Sequence, residues 1–292
     1  PSRVFGLLLL CAAPTMLFAA PAPANTAVRS SILSSQPIAP GFSKIGPVST
    51  NLWSFNAINV YDPILRRDVF YITSFNSAGN GQLIKLDYRN DRAKAWTMPV
   101  GIGSWGIIEG QDGNIYLGSY NGGQLLCFNP RSEKWIPLPQ APEAFRKKES
   151  IVADLAQAPN GDIYYGTYPG AHLVRYDPHV GTVTDLGPAA DENYLRNVAV
   201  TPDGIVLCGV GTRRSRILAY DPKTSKFSEL EPAKYRDSGV STRPLLSAHY
   251  VVQSASDQIL VYDSHTLKLL HVYPLKDASG FNLLDANHLL YQ

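Results

Sequence analysis

The chain has 292 residues and a formal net charge of +2, with 26 Lys and Arg set against 24 Asp and Glu, and 45% of it is hydrophobic. Both signs of charge are interspersed, so no basic stripe invites a nucleic acid, and the apolar content supports a packed core rather than a disordered chain. Its 23 Gly, 22 Pro and 16 Tyr favour many short strands joined by tight turns.

Arg3 precedes an apolar run from Val4 to Leu10 that resumes at Met16, Leu17 and Phe18, and the small residues Ala19, Ala20, Ala22 and Ala24 follow. This pattern predicts a signal peptide over residues 1–24, cleaved after Ala20 or Ala24, and a secreted protein. Pro14 interrupts the run, which falls short of the roughly 20 apolar residues of a spanning helix, so no membrane span is expected after cleavage. Cys11 belongs to this segment. Cys127 and Cys208 fall on different strand types two repeats apart and are expected as buried thiols, not a disulfide. Residues 25–40 read as a linker and 41–292 as the folded unit.

That unit is repetitive. Trp105 to Gly110 reads as an inner strand, Asp112-Gly113 as a hairpin turn and Asn114 to Tyr120 as a second strand. After Asn121-Gly122-Gly123, Gln124 to Phe128 forms a third strand, Asn129-Pro130 turns, and Trp135 to Leu138 forms a fourth. The next copy runs from Ile151 through Asn160-Gly161, Asp162 to Tyr168, His172 to Tyr176, Asp177-Pro178 and Thr182 to Leu186. A third turns at Asp203-Gly204 and closes on Asp221-Pro222, while Trp53 to Met98 and Leu246 to Tyr273 are more degenerate copies. A spacing of about 42 to 48 residues is that of one four-stranded blade, so the predicted fold class is an all-β propeller.

Phe42 to Pro47 resembles the fourth strand Val183 to Pro188 and is expected to close the ring on the last blade. Phe281 to Ala286 resembles a first strand and His288 to Gln292 a second, with no third supplied. The expectation is a C-terminally truncated propeller holding about five and a half of roughly six to eight blades; a six-bladed ring with an imperfect last blade is the alternative.

In a propeller the second-to-third loops and the inter-blade connections share one face, around the channel mouth. That face collects Trp105, Tyr120, Asn121, Tyr168, His172, Tyr194, Arg196, Arg213 and Arg214, with Arg243 among the connections. Phe75, Tyr120 and Tyr168 recur at the end of the second strand, which suits either blade-to-blade packing or a sugar-stacking platform. His172, after a Tyr-Pro-Gly-Ala turn, is either an ordinary surface residue or an acid-base group. Arg213, Arg214 and Arg216 stand where the fourth copy lacks the aromatic, as a solvated loop or as forks for carboxylates. The Asp-Gly and Asp-Pro turns of the opposite face read as structural, not as calcium loops. No nucleophile elbow, phosphate loop, dinucleotide fingerprint or metal-ligand spacing is present, so neither a metal nor a cofactor is expected.

Gly166 to Pro178, with Gly211-Thr212-Arg213 and Ala219 to Pro222 one blade later, resembles a group of secreted fungal and bacterial propellers that includes rhamnose-glucuronate polysaccharide lyases. More loosely, the repeats resemble gluconolactonase-like and quinoprotein-like propellers, although the gluconolactonase metal set of Glu, Asn and Asp finds no counterpart. The resemblance implies β-elimination on a uronate-containing oligosaccharide or polysaccharide. Arg196, Arg213 and Arg214 would neutralise the carboxylate, and His172, Tyr168 or Tyr120 would move the proton. Trp105, Tyr194 and Asn121 would complete the substrate surface. The alternative from the residues alone is a non-catalytic propeller that binds a glycan or a protein partner on the same face.

Overall fold

In the computed structural model, residues 36–39, 42–44, 53–236, 241–274, 283–284 and 290–291 are described. The expected signal peptide and most of the expected linker lie outside them. Five antiparallel sheets of four strands follow one another, each with its strands in chain order from inner to outer. The first blade comprises Trp53–Asp62, Arg67–Phe75, Gln82–Asp87 and Arg92–Thr97; the second Ile107–Glu109, Ile115–Gly118, Leu125–Asn129 and Lys134–Ile136. The third comprises Ile151–Gln157, Ile163–Tyr168, His172–Asp177 and Thr182–Pro188; the fourth Tyr194–Val200, Val206–Gly211, Arg216–Asp221 and Lys226–Glu229. The fifth comprises Leu245–Leu246, Tyr250–Ala255, Gln258–Asp263 and Leu269–Pro274. The chain is an all-β propeller, as its repeats predict.

Blades stack because each sheet is apolar on both faces. In the third blade's second strand, Ile163 and Tyr165 join a cluster with Tyr116 and Cys127 of the second blade, while the intervening Tyr164 joins Leu195 and Val206 of the fourth. Alternate side chains thus bury into opposite neighbours, which is why this strand opens on the run Ile163-Tyr164-Tyr165. A fully buried ring such as Tyr165 contributes about 2 kcal/mol of apolar transfer energy. Cys127 and Cys208 are buried free thiols in these layers, and burial pushes the Cys127 thiol up to about 12.

The Asn and Asp turns are structural, as expected. Asn129, Asp177, Asp221 and Asp263 each accept backbone N–H bonds from residues two or three further on. The residue four positions on then takes positive φ: Glu133 (54°), Gly181 (68°), Ser225 (56°) and Leu267 (56°). Only one of these four is glycine, so the side-chain cap holds the turn against the left-handed penalty.

At both ends the described residues form local pairs. Phe42–Lys44 pairs antiparallel with Gln36–Ala39, inside the expected linker, and Leu283–Leu284 pairs with Leu290–Tyr291. The N-terminal strand therefore has a local hairpin partner, whose register is set by adjacency in the chain. The C-terminal pair falls within the two segments expected to begin a sixth blade.

Candidate functional site

A bulge recurs in the inner strands, at the end that the sequence assigns to the channel mouth. In the third blade, Ile151 faces Tyr168 and Asp154 faces Gly166, so one extra residue, Ala153, is inserted between the pairs. The same offset inserts Arg196 in the fourth blade, between Leu195 and Asn197. In the second blade the bridge of Gly103 to Tyr120 and the bond from Gly118 N–H to the Gly106 carbonyl place Trp105 in that position. A bulge re-aims the side chain it inserts. It also shortens the second blade's inner strand to Ile107–Glu109, where the sequence suggested Trp105 to Gly110.

The ladder also identifies the ends of the second strands. Phe75 faces Trp53, Tyr120 faces Gly103, Tyr168 faces Ile151 and Gly211 faces Tyr194. The fourth blade's missing aromatic is therefore replaced by Gly211, not by the arginine run, and its inner strand supplies Tyr194 instead. Tyr194 stacks on Tyr168 with ring centroids 4.1 Å apart and an interplanar angle of 24°. Gly103 makes the converse accommodation: a Cβ there would meet the Phe75 ring at 2.5 Å.

These positions bring Trp105, Tyr120, Tyr168, Tyr194 and Arg196 together. Trp105 meets Tyr120 edge-on at 4.7 Å and Tyr194 at 6.2 Å, and Phe75 meets Tyr120 at 5.2 Å. The Arg196 guanidinium lies 4.3 Å from the Trp105 ring centroid. All of these side chains are half-buried. Burial pushes the Tyr194 phenol up to about 12, with Tyr120 and Tyr168 adding to the shift and Arg196 opposing it, so it stays neutral near pH 7.

The other candidates are placed differently. His172 opens the third strand, where its Nδ1 lies 2.8 Å from Asp185 Oδ1 and its ring meets Phe145 edge-on at 5.4 Å. Those partners hold it on the outer half of the third blade, outside the aromatic cluster. Arg213 is exposed and pairs with Asp191 at 3.2 Å, and Arg216 pairs with Glu229 at 2.9 Å. Arg214 is exposed, and its N–H bonds Glu192. Asn121 is exposed with φ of 62°, a turn conformation Asn tolerates well.

Two carboxylates that sequence reasoning passed over organise this face. Glu192 accepts the N–H groups of Thr212, Arg213 and Arg214, and Glu149 accepts the Thr167 hydroxyl at 2.7 Å and the Gly170 N–H at 2.8 Å. Each stands two residues before an inner strand and holds the second-to-third loop of its own blade. An acid at that spacing, repeated in two copies, was the available signal. Burial pushes Glu192 up, but the three N–H bonds and Arg213 outweigh it and leave its carboxyl below the ordinary range.

A third carboxylate, Asp154, follows the bulge in the third blade. Its Oδ2 accepts the Val198 N–H at 2.9 Å from the fourth blade, and its Oδ1 lies 3.4 Å from Nη1 of Arg243, in the connection that enters the fifth. At the equivalent place in other blades, Asn56 donates to the Trp105 carbonyl and Asn197 to the Ser241 carbonyl of the next blade. Among the described residues no group of three or more His, Cys, Asp or Glu could hold a metal ion.

No protein-family profile and no curated protein sequence matches this chain. Among solved structures, it is similar to an extracellular domain assigned to a one-component system from B. thetaiotaomicron, at 15% identity and a TM-score of 0.53, covering 66% of this chain and 26% of that one. An extracellular domain assigned to a hybrid two-component system from the same organism matches at 17% identity and a TM-score of 0.53, over 76% of this chain and 29% of that one. The chain thus spans between a quarter and a third of those domains. A gluconolactonase from Xanthomonas campestris matches at 12% identity and a TM-score of 0.51, over 77% of both chains. At these identities the likeness is one of fold: a β-propeller. No helix among the described residues is long and apolar enough to cross a membrane.

Proposed function

We propose that this propeller binds a saccharide at its channel mouth, with uronate-containing glycans as the ligand class. The carrying observation is the run of half-buried rings from Phe75 through Tyr120, Trp105 and Tyr194 to Tyr168, drawn from four blades, with the Arg196 guanidinium on Trp105. Flat aromatic faces beside a fixed guanidinium suit the apolar face and the carboxylate of an acidic sugar. Export of the protein belongs to the same proposal: residues 1–24 read as a signal, and two similar folds are extracellular domains.

Elimination chemistry is the second reading, supported by Tyr120 and Tyr168 lying in one cluster with Arg196. It needs a proton acceptor beside the sugar, and the neutral Tyr194 and the Asp185-bound His172 do not supply one there. Both readings are tested by titrating uronate oligosaccharides while recording tryptophan fluorescence and, in parallel, absorbance of unsaturated uronates. Saturable binding abolished by Trp105→Ala without a new absorbance band supports a binding module. A band lost in Tyr168→Phe supports a lyase. No binding of any glycan, with a folded protein, removes the saccharide proposal and turns attention to a protein partner.

A further inference from the structure

Asp154 is on the third blade's inner strand and Arg243 in the connection that enters the fifth, so the whole fourth blade lies between them in sequence. The carboxylate is nearly inaccessible, with side-chain exposure of 6%, and is anchored by the Val198 N–H, whereas the Arg243 side chain is 43% exposed. Arg196 also acts electrostatically on Asp154. Arg196 thus touches Trp105 and acts at longer range on Asp154, which pairs with Arg243, so the ion pair is linked electrostatically to the aromatic cluster. The accessible Arg243 can turn from Asp154 towards an incoming carboxylate, at the cost of leaving the buried Asp154 charge without its partner.

Building on the saccharide reading, we propose that Arg243 joins Arg196 as a recognition residue for a sugar carboxylate and that Asp154 is the internal counter-ion of Arg243, with which the sugar competes. The fixed charge of Asp154 repels an incoming carboxylate, and so sets a threshold that only a ligand with both a stacking ring and an acid group surmounts. Binding then favours protonation of Asp154. Burial already pushes this carboxyl up against the opposing influence of Arg243, the Val198 and Leu155 N–H groups and Arg196, which are the groups facing it. Uptake of a proton on binding is the expected signature, because a second negative charge beside Asp154 disfavours its ionised form.

The experiment compares a tetrasaccharide of β-linked glucuronic acid with its glucose counterpart, which differs only in the carboxyl group, by calorimetry in two buffers of different ionisation enthalpy. Asp154→Asn keeps an acceptor for the Val198 N–H and removes the charge. It should tighten the acidic ligand about tenfold, leave the neutral one unchanged and abolish proton uptake. Arg243→Gln should weaken the acidic ligand alone, and melting curves check that both variants fold. Acidic binding that is unchanged or weaker in Asp154→Asn, or equal losses of both sugars in Arg243→Gln, overturns the counter-ion role while leaving the saccharide site standing. Failure of wild type to bind either sugar overturns both.

Discussion

Arg196 reaches the face of Trp105 at 4.3 Å although a whole blade separates the two, and the inserted position of that intervening blade holds only Ala153. All three occupy the inserted position of the inner-strand bulge in successive blades, and the middle one ends at Cβ. Ala153→Leu should drive the pair apart. Double-mutant cycles with Arg196→Gln and Trp105→Leu, read by chemical denaturation, should give a coupling of about 1 kcal/mol with Ala153 and near zero in the Ala153→Leu background. A coupling that persists with Leu would show that the rings are held by something else.

Glu192 closes the loop after the fourth blade's second strand by accepting three backbone N–H groups. Glu192→Ala should cost about 1 kcal/mol, because three part-buried N–H donors lose their charged acceptor. Since its folded pKa lies below the unfolded value, this stabilisation is present above the unfolded pKa near 4.3 and fades as pH falls through the folded one. Amide protection factors at Thr212 to Arg214, taken relative to the intrinsic exchange rate at each pH, should fall in acid, and Glu192→Ala should show that lower protection at every pH.

Glu231 has the opposite sign. It is 2% exposed, accepts the Ile217 N–H at 3.0 Å, and lies with Gln253 and Tyr262 between the fourth and fifth blades. Burial raises its pKa to about 7, against the lowering influence of Gln253, the Ile217 N–H and Arg236. Stability should therefore fall as pH climbs from the unfolded pKa near 4.3 towards 7, by about 3 kcal/mol at most. Urea midpoints of Glu231→Gln should lack this decline; a parallel decline in the variant would assign it to other groups.

Ser225 sits at φ of 56° in an exposed turn closed by its N–H bond to the Asp221 carbonyl. Ser225→Gly should raise stability by about 0.5 kcal/mol, as relief of the left-handed strain outweighs the added chain entropy. Gly181→Ala at the corresponding turn of the third blade should lower it. A matched pair of thermal melts checks both signs.

The blades were legible because their strands are apolar on both faces and their turns carry Asn, Asp and Gly at regular spacing. Tyr120, Tyr168 and Tyr194 were legible as residues of one face for the same reason. What the sequence hid was register. An inserted residue has no composition signature, so nothing marked Trp105, Ala153 and Arg196 as equivalents, and the arginine run at 213–216 reads as filling a place that the ladder gives to Gly211. Asp154 was hidden too, because its partners lie 44 residues away at Val198 and 89 away at Arg243, beyond any local pattern.

The polar links behind the bulges run in one direction around the hub: Asn56 to the second blade, Asp154 to the fourth, Asn197 to the fifth. Each anchored blade is therefore latched by its predecessor from the inside, like links of a chain wound round an axle. Under a pulling force applied from the fifth blade, the hub should release its latches singly, beginning with Asn197 and Ser241, and the extension record should step by about one blade's contour length.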